Sequence, residues 1–209
     1  MPEVATTTDD GGFDAAALDW GKGDGLLPAI VQDARTLRVL MLGYMDRAAL
    51  AHTLSSRRVT FFSRSKGRLW TKGESSGHVL DLVSVDVDCD HDTLLVLAHP
   101  QGPTCHLQRA SCFAQAPAST LATLSALVEQ RATERPEGSY TTRLFEGGVR
   151  RMAQKVGEEG VETALAAVAE DDGALLGEAA DLVFHLLVLL RARGLDLADV
   201  EATLRSRAR

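Results

Sequence analysis

The chain changes character once, near Ala114-Gln-Ala-Pro-Ala-Ser-Thr120, and that change restricts it to a fold with two differently built parts. Before it, short runs rich in β-forming residues alternate with turns, over 27–31, 39–44, 59–63, 69–72, 79–87 and 94–98. One helix over 47–54, with Asp46 as its N-cap, interrupts them. After it, apolar residues recur at helical spacing over 121–134, 149–169, 174–193 and 197–205. The expected fold class is α+β, with a β-rich domain over 16–113 carrying one or two helices, a linker over 114–120, and an all-α helical bundle over 121–209. Residues 1–15 read as a disordered acidic tail.

Hydrophobic residues make up 45% of the chain, enough for packed cores. The net charge of −7 is concentrated at one end: 1–24 hold six acids and one lysine, so −5 lies there and the remainder is nearly neutral. No basic surface for nucleic acid is expected. The N-terminus has neither the positive flank nor the apolar stretch of a signal peptide, and uninterrupted apolar runs such as 186–190 are too short for a bilayer. A cytoplasmic protein with no membrane partner is expected.

The three cysteines are Cys89, Cys105 and Cys112. A closed structural zinc site uses four protein ligands, whereas three leave a position open, as in catalytic sites. Inert buried thiols are the blander reading of the count. Cys89 lies within Asp88-Cys89-Asp90-His91-Asp92, which sets a soft ligand among hard ones suited to Mg²⁺. An EF-hand loop is excluded, because Thr93 and His99 stand where that loop needs Gly and Glu. In a regular strand over 82–89, Val83, Val85, Val87 and Cys89 would share one face, with Ser84, Asp86 and Asp88 on the other. Residues four apart on a flat strand are separated by roughly 13 Å, so Asp88 and Asp92 meet only if the chain bends or a second subunit contributes. His106, beside Cys105 in the turn over 102–106, suits an acid/base or substrate contact better than a fourth zinc ligand.

Arg64, Lys72, Ser75 and Ser76 supply donors suited to phosphate around the flexible Gly73 and Gly77. An ordinary hairpin loop has the same composition. In the helical half, Glu159 and Glu162 share one helix face with Lys155, and Glu178 and Asp181 share another. The stretch 175–190 is otherwise almost wholly apolar, which predicts a helix buried on most sides and makes its carboxylates costly unless paired or metal-bound. Four acids from two helices suit Mg²⁺, with Arg143, Arg150, Arg151 and Lys155 near for phosphate charge. A ferritin-like di-iron site ranks lower, because His185 follows Asp181 by four residues rather than three.

The first half resembles phosphoribosyl-AMP cyclohydrolase, through Val39-Leu-Met-Leu-Gly-Tyr-Met45, Trp70-Thr-Lys-Gly-Glu-Ser-Ser-Gly77, the 88–92 run, Gly102-Pro-Thr-Cys-His106 and Ser111-Cys-Phe113. The second half resembles phosphoribosyl-ATP pyrophosphohydrolase of the all-α nucleoside triphosphate pyrophosphatase type, through 139–141, 154–163 and 178–182. Together they are similar to the bifunctional enzymes of histidine biosynthesis. Two departures stand out: Gln108 replaces a usual Gly, and Asp86 is not a metal position of the family.

The resemblance implies Zn²⁺ on Cys89, Cys105 and Cys112, shared across a homodimer interface, and Mg²⁺ at Asp88, Asp90 and Asp92. It implies substrate contacts from Arg64, Trp70, Lys72, Glu74 and Ser75, and a second Mg²⁺ at Glu159, Glu162, Glu178 and Asp181. His106 and Lys155 are the expected catalytic side chains, and phosphoribosyl nucleotides the expected partners. The competing readings are a zinc-stabilised binding module joined to a helical dimerisation domain, or to a housekeeping nucleotide pyrophosphatase.

Overall fold

The computed structural model describes residues 15–208, so the tail expected over 1–15 lies outside them except for Ala15. Two compact units are present, one ending at Ala118 and the other beginning at Ser119.

All six expected strands form in the first unit: β1 Leu27–Asp33, β2 Val39–Met45, β3 Thr60–Ser63, β4 Arg68–Thr71, β5 Leu80–Val87 and β6 Leu94–Pro100. Four make a sheet in the order β2-β1-β6-β5, with β1 parallel to β6 and the other pairs antiparallel; β3 and β4 form a separate hairpin. The period of two that identifies β1 and β6 also builds the core, because Leu27, Ala29 and Val31 face Leu94, Val96 and Ala98 from the same side of the sheet. Helix α1, Arg47–Ser56, closes over this face with Ala49 and Leu50, and the Asp46 carboxylate accepts the Ala49 N–H at 2.7 Å.

One expected pattern fails within β5. The register shifts between Leu82 and Ser84, leaving Val83 39% exposed, while Leu80 and Leu82 before the bulge and Val85 and Val87 after it pack on the core. An extra residue in one strand resets which side chains face inward, so the uniform alternation assumed from 82 to 89 does not hold. The strand then ends at Val87, which places Cys89 in the following turn.

The second unit consists of α2 Thr120–Glu134, α3 Tyr140–Glu146, α4 Gly148–Ala169, α5 Asp172–Ala192 and α6 Leu197–Arg207. Helix α3 is absent from the sequence expectation, because seven residues are too few to display a helical period. Side chains cap four of the five helices: Ser119, Ser139, Asp171 and Asp196 each accept a backbone N–H from the first turn. Val128, Leu144, Met152, Leu187 and Val188 form the core.

Helix α5 does not match the expectation of burial on most sides. Only His185, Leu187 and Val188 are buried, and Leu176 is 71% exposed, because α2, α3 and α4 cover one side of a helix that is apolar nearly all round. By length and composition α5 is also long enough to cross a bilayer, which corrects the estimate from uninterrupted apolar runs. Glu178, Asp181 and His185 lie within it, and it packs along α4, as a bundle helix does.

Gly43 in β2 lies against the buried Phe61 ring, where an added Cβ would sit 2.3 Å from the ring carbon Cδ1. Because the ring is enclosed, Gly43→Ala is expected to destabilise the first unit by about 1–3 kcal/mol. Urea unfolding followed by Trp fluorescence measures this, and an unchanged midpoint would contradict the packing described.

Candidate active sites

The turn after β5 solves the geometric problem posed by the aspartates. His91 adopts a left-handed φ of 62°, reversing the chain, and the Asp88 carboxylate accepts the N–H groups of Asp92 and Thr93, each at 3.0 Å. The bend brings ligand oxygens of Asp88, Asp90 and Asp92 within 4.8 Å of one another. Burial acts to raise the Asp88 pKa, but the backbone donors of Thr93 and Asp92 prevail and hold it below the ordinary value. Asp86 does not join the group.

Lys22 lies against this trio, a contact not foreseen from sequence. Its ammonium is 2.8 Å from Asp90 and 3.3 Å from Asp92, and the hydrogen bond to Asp90 is the main cause of its raised pKa. The buried Leu18 and Trp20 anchor the segment, and the Asp19 N–H donates to the His91 carbonyl at 2.8 Å.

The loop after β6 positions Cys105. Gln108 takes a left-handed φ of 58°, its N–H donates to the Cys105 carbonyl at 3.0 Å, and the Cys105 N–H donates to the Arg109 carbonyl at 3.0 Å. The left-handed conformation favours glycine, and glutamine accepts it here at some conformational cost. Cys105 is buried, and the Leu107 backbone N–H, followed by Arg109, lowers its pKa and favours the thiolate. Cys112 interacts with Cys105; burial and then the charge of Cys105 raise its pKa. The Ser111 hydroxyl ties this loop to the start of β2 by donating to the Val39 carbonyl at 2.7 Å.

Cys105 and Cys112 open onto a cavity of about 310 Å³ that Trp70, Lys72, Glu74, Ser75 and His106 also line. His106 is exposed, with Nδ1 4.0 Å from the Cys105 sulfur. Lys72 is buried, whereas Glu74 pairs with Arg68 at 2.6 Å, which holds its carboxyl below the ordinary pKa. Arg64 is not among the lining residues; its guanidinium stacks 3.8 Å from the centroid of the Tyr44 ring. Cys89 does not line the cavity either. Among the described residues, both three-residue groups of possible metal ligands are wholly carboxylate, so this chain alone does not gather the three thiols.

In the helical unit, α4 and α5 bring Glu159, Glu178 and Asp181 within the same 4.8 Å limit. Glu162 is exposed and outside that group, although it is the strongest charge acting on Glu178. Burial, followed by Glu162, Glu159 and Asp181, raises the Glu178 pKa. Lys155 contacts Glu159 at 2.5 Å and Glu158 at 3.0 Å, which raises its own pKa. Glu158, unassigned from sequence, also takes Gln154 at 2.6 Å and Arg151 at 3.8 Å. The buried His185 approaches Glu159 at 3.6 Å; its signal in the sequence was the four-residue step from Asp181.

Comparison with known proteins gives a consistent pattern. The phosphoribosyl-AMP cyclohydrolase family model matches residues 41–114, and the phosphoribosyl-ATP pyrophosphohydrolase model matches 121–208. A histidine biosynthesis bifunctional protein HisIE from Xanthomonas axonopodis pv. citri is 67% identical over 205 residues, covering 98% of this chain and 97% of the relative. Proteins of the same name from Escherichia coli K12 and Shewanella oneidensis are 57% and 55% identical, covering 91% and 93% of this chain and 95% and 92% of their own length.

The raised Glu178 pKa sets a sign for stability in metal-free protein. A carboxyl that binds its proton more tightly when folded favours folding below its unfolded pKa, and that contribution is lost as pH rises through the folded value. Glu178→Gln is therefore expected to melt higher than wild type at pH 7 in chelator, with the difference vanishing below about pH 4. Thermal melts across pH test this; a variant less stable than wild type at pH 7 would contradict it.

Proposed function

The chain belongs to the bifunctional family of histidine biosynthesis that joins a phosphoribosyl-AMP cyclohydrolase to a phosphoribosyl-ATP pyrophosphohydrolase, and on that premise we propose how its residues divide the two hydrolyses. The helical unit releases pyrophosphate from phosphoribosyl-ATP, and the β-rich unit then opens the adenine ring of phosphoribosyl-AMP between N1 and C6.

In the helical unit, Glu159, Glu178 and Asp181 would hold Mg²⁺, with Glu162 completing the acidic set. The fit rests on the donor chemistry: clustered carboxylates, one with a raised pKa, are stabilised by a hard divalent cation. Bound Mg²⁺ supplies charge neutralisation for the triphosphate. Lys155 fixes the Glu159 carboxylate and adds positive charge beside the phosphates, while Arg150 and Arg151 on the same helix extend that charge.

In the β-rich unit, Cys105 and Cys112 would hold Zn²⁺ together with Cys89 of the partner subunit, and Asp88, Asp90 and Asp92 would hold Mg²⁺. The lowered pKa of Cys105 suits a thiolate ligand. Bound Zn²⁺ supplies Lewis acidity that makes hydroxide available near neutral pH. Lys72 and Ser75 bind phosphate, and Trp70, stacked on Phe61 at 5.8 Å, forms an aromatic wall for the purine. Glu74 in the cavity lining and Arg64, stacked on Tyr44 outside it, would make further substrate contacts. Water adds across C6, its oxygen becoming the carboxamide oxygen and one proton going to the exocyclic nitrogen, the N1–C6 bond breaks, and His106 would relay the second proton to N1. The enzyme works in the cytoplasm as a homodimer.

The observation that carries the dimer reading is the separation of Cys89 from the cavity where Cys105 and Cys112 meet. Cys89→Ala and Cys105→Ala homodimers are each expected to lose ring opening. A heterodimer of the two, isolated with different tags, contains one intact thiol set and is expected to regain about half the wild-type rate, since one of two sites is whole. A heterodimer as inactive as its parents would contradict sharing across the interface.

A further inference from the structure

Outside the carboxylates that carry the metal reading, one buried polar side chain among the described residues of the helical unit has an unexplained atom. His185 is 4% exposed, and its Nδ1 has no hydrogen-bond partner. Its other nitrogen, Nε2, lies 3.6 Å from Glu159 Oε1 and 3.4 Å from the Tyr140 hydroxyl. A neutral imidazole carries a single N–H. On Nδ1 that hydrogen would be buried with nothing to accept it, so it belongs on Nε2, facing two oxygens.

Helix geometry places the same ring beside the acidic cluster. Glu178, Asp181 and His185 are spaced i, i+3 and i+7, so they lie along one stripe of α5. Glu159 meets that stripe from α4, and Tyr140 reaches it from α3. Phe184 and Tyr140 enclose the imidazole, with ring centroids 5.2 Å and 5.9 Å away and both contacts edge-on. The ring therefore has little freedom to turn away from Glu159.

We infer that His185 is a positioning residue for the helical metal site: with Lys155 it lies against Oε1 of Glu159 and, enclosed by Tyr140 and Phe184, holds that carboxylate beside Glu178 and Asp181. Groups that hydrogen-bond a ligating carboxylate orient it and reduce the reorganisation needed on binding, and their loss typically costs about 10–100-fold in metal affinity. Tyr140 fixes the imidazole in turn. A histidine that merely fills the core would affect stability and leave metal affinity unchanged. The inference rests on the reading of Glu159, Glu178 and Asp181 as metal ligands.

Titration of the full-length protein with Mn²⁺, following free ion by electron paramagnetic resonance, separates these roles. The class of sites lost in Glu178→Gln identifies the helical site, and if wild type shows no such class the metal reading itself fails. Provided wild type shows it, His185→Leu is expected to weaken that class by about 10–100-fold. His185→Gln, which retains an N–H near the position of Nε2, is expected to recover most of the loss, and Tyr140→Phe to show a smaller loss. Folded His185→Leu protein with wild-type Mn²⁺ affinity would overturn the inference. If His185→Leu does not fold, Tyr140→Phe decides: wild-type affinity there overturns it, and weakened affinity with unchanged melting temperature supports it.

Discussion

Carboxylates held within 4.8 Å of one another repel, and both units of this chain build such a trio. Repulsion of this kind persists only where the scaffold fixes the groups and cations lie close by. In the β-rich unit the scaffold is a reversed turn, with His91 left-handed and Asp88 receiving two backbone N–H groups, and the nearby cation is Lys22. In the helical unit the scaffold is a pair of packed helices, and the cation is Lys155. The same electrostatic problem has been solved on unrelated local structures.

The two solutions leave different amounts of freedom. Asp90 and Asp92 are held by a surface ammonium, whose attraction is screened by solvent and salt. Glu159 is buried and contacted by Lys155 from its own helix and by His185 from α5, so its orientation is set before any ligand arrives. The helical site is accordingly the more preorganised of the two. In the β-rich unit the thiols are divided between a turn after β5 and a loop after β6, the separation that the proposed dimer would bridge.

Much of this was legible in the sequence because the relevant signals are periodic. Strands β1 and β6 alternate strictly, and α4 and α5 carry their acids at i, i+3, so element type and the acidic faces follow from spacing. The rest depends on events without a period. A bulge at Val83 resets the inward face of β5, seven residues at Tyr140–Glu146 form a helix too short to announce itself, and a turn at His91 gathers aspartates that a flat strand would separate. Lys22 reaches Asp90 across 68 residues, and His185, whose spacing shows only that it shares a helix face with Asp181, reaches Glu159 on another helix; both contacts come from tertiary packing. The exposed apolar face of α5 has a similar origin: composition shows that the helix is apolar all round, not how many sides its own chain covers.

The proposed function requires two chemically distinct, separately metal-dependent hydrolytic sites on one chain. Its most direct test adds phosphoribosyl-ATP and Mg²⁺ to the purified protein and follows pyrophosphate release and the ultraviolet change of adenine ring opening in one cuvette, with and without a zinc-selective chelator. Both signals are expected without chelator, and only pyrophosphate release with it. Loss of both signals on zinc removal, or ring opening that survives it, would contradict the division of labour described.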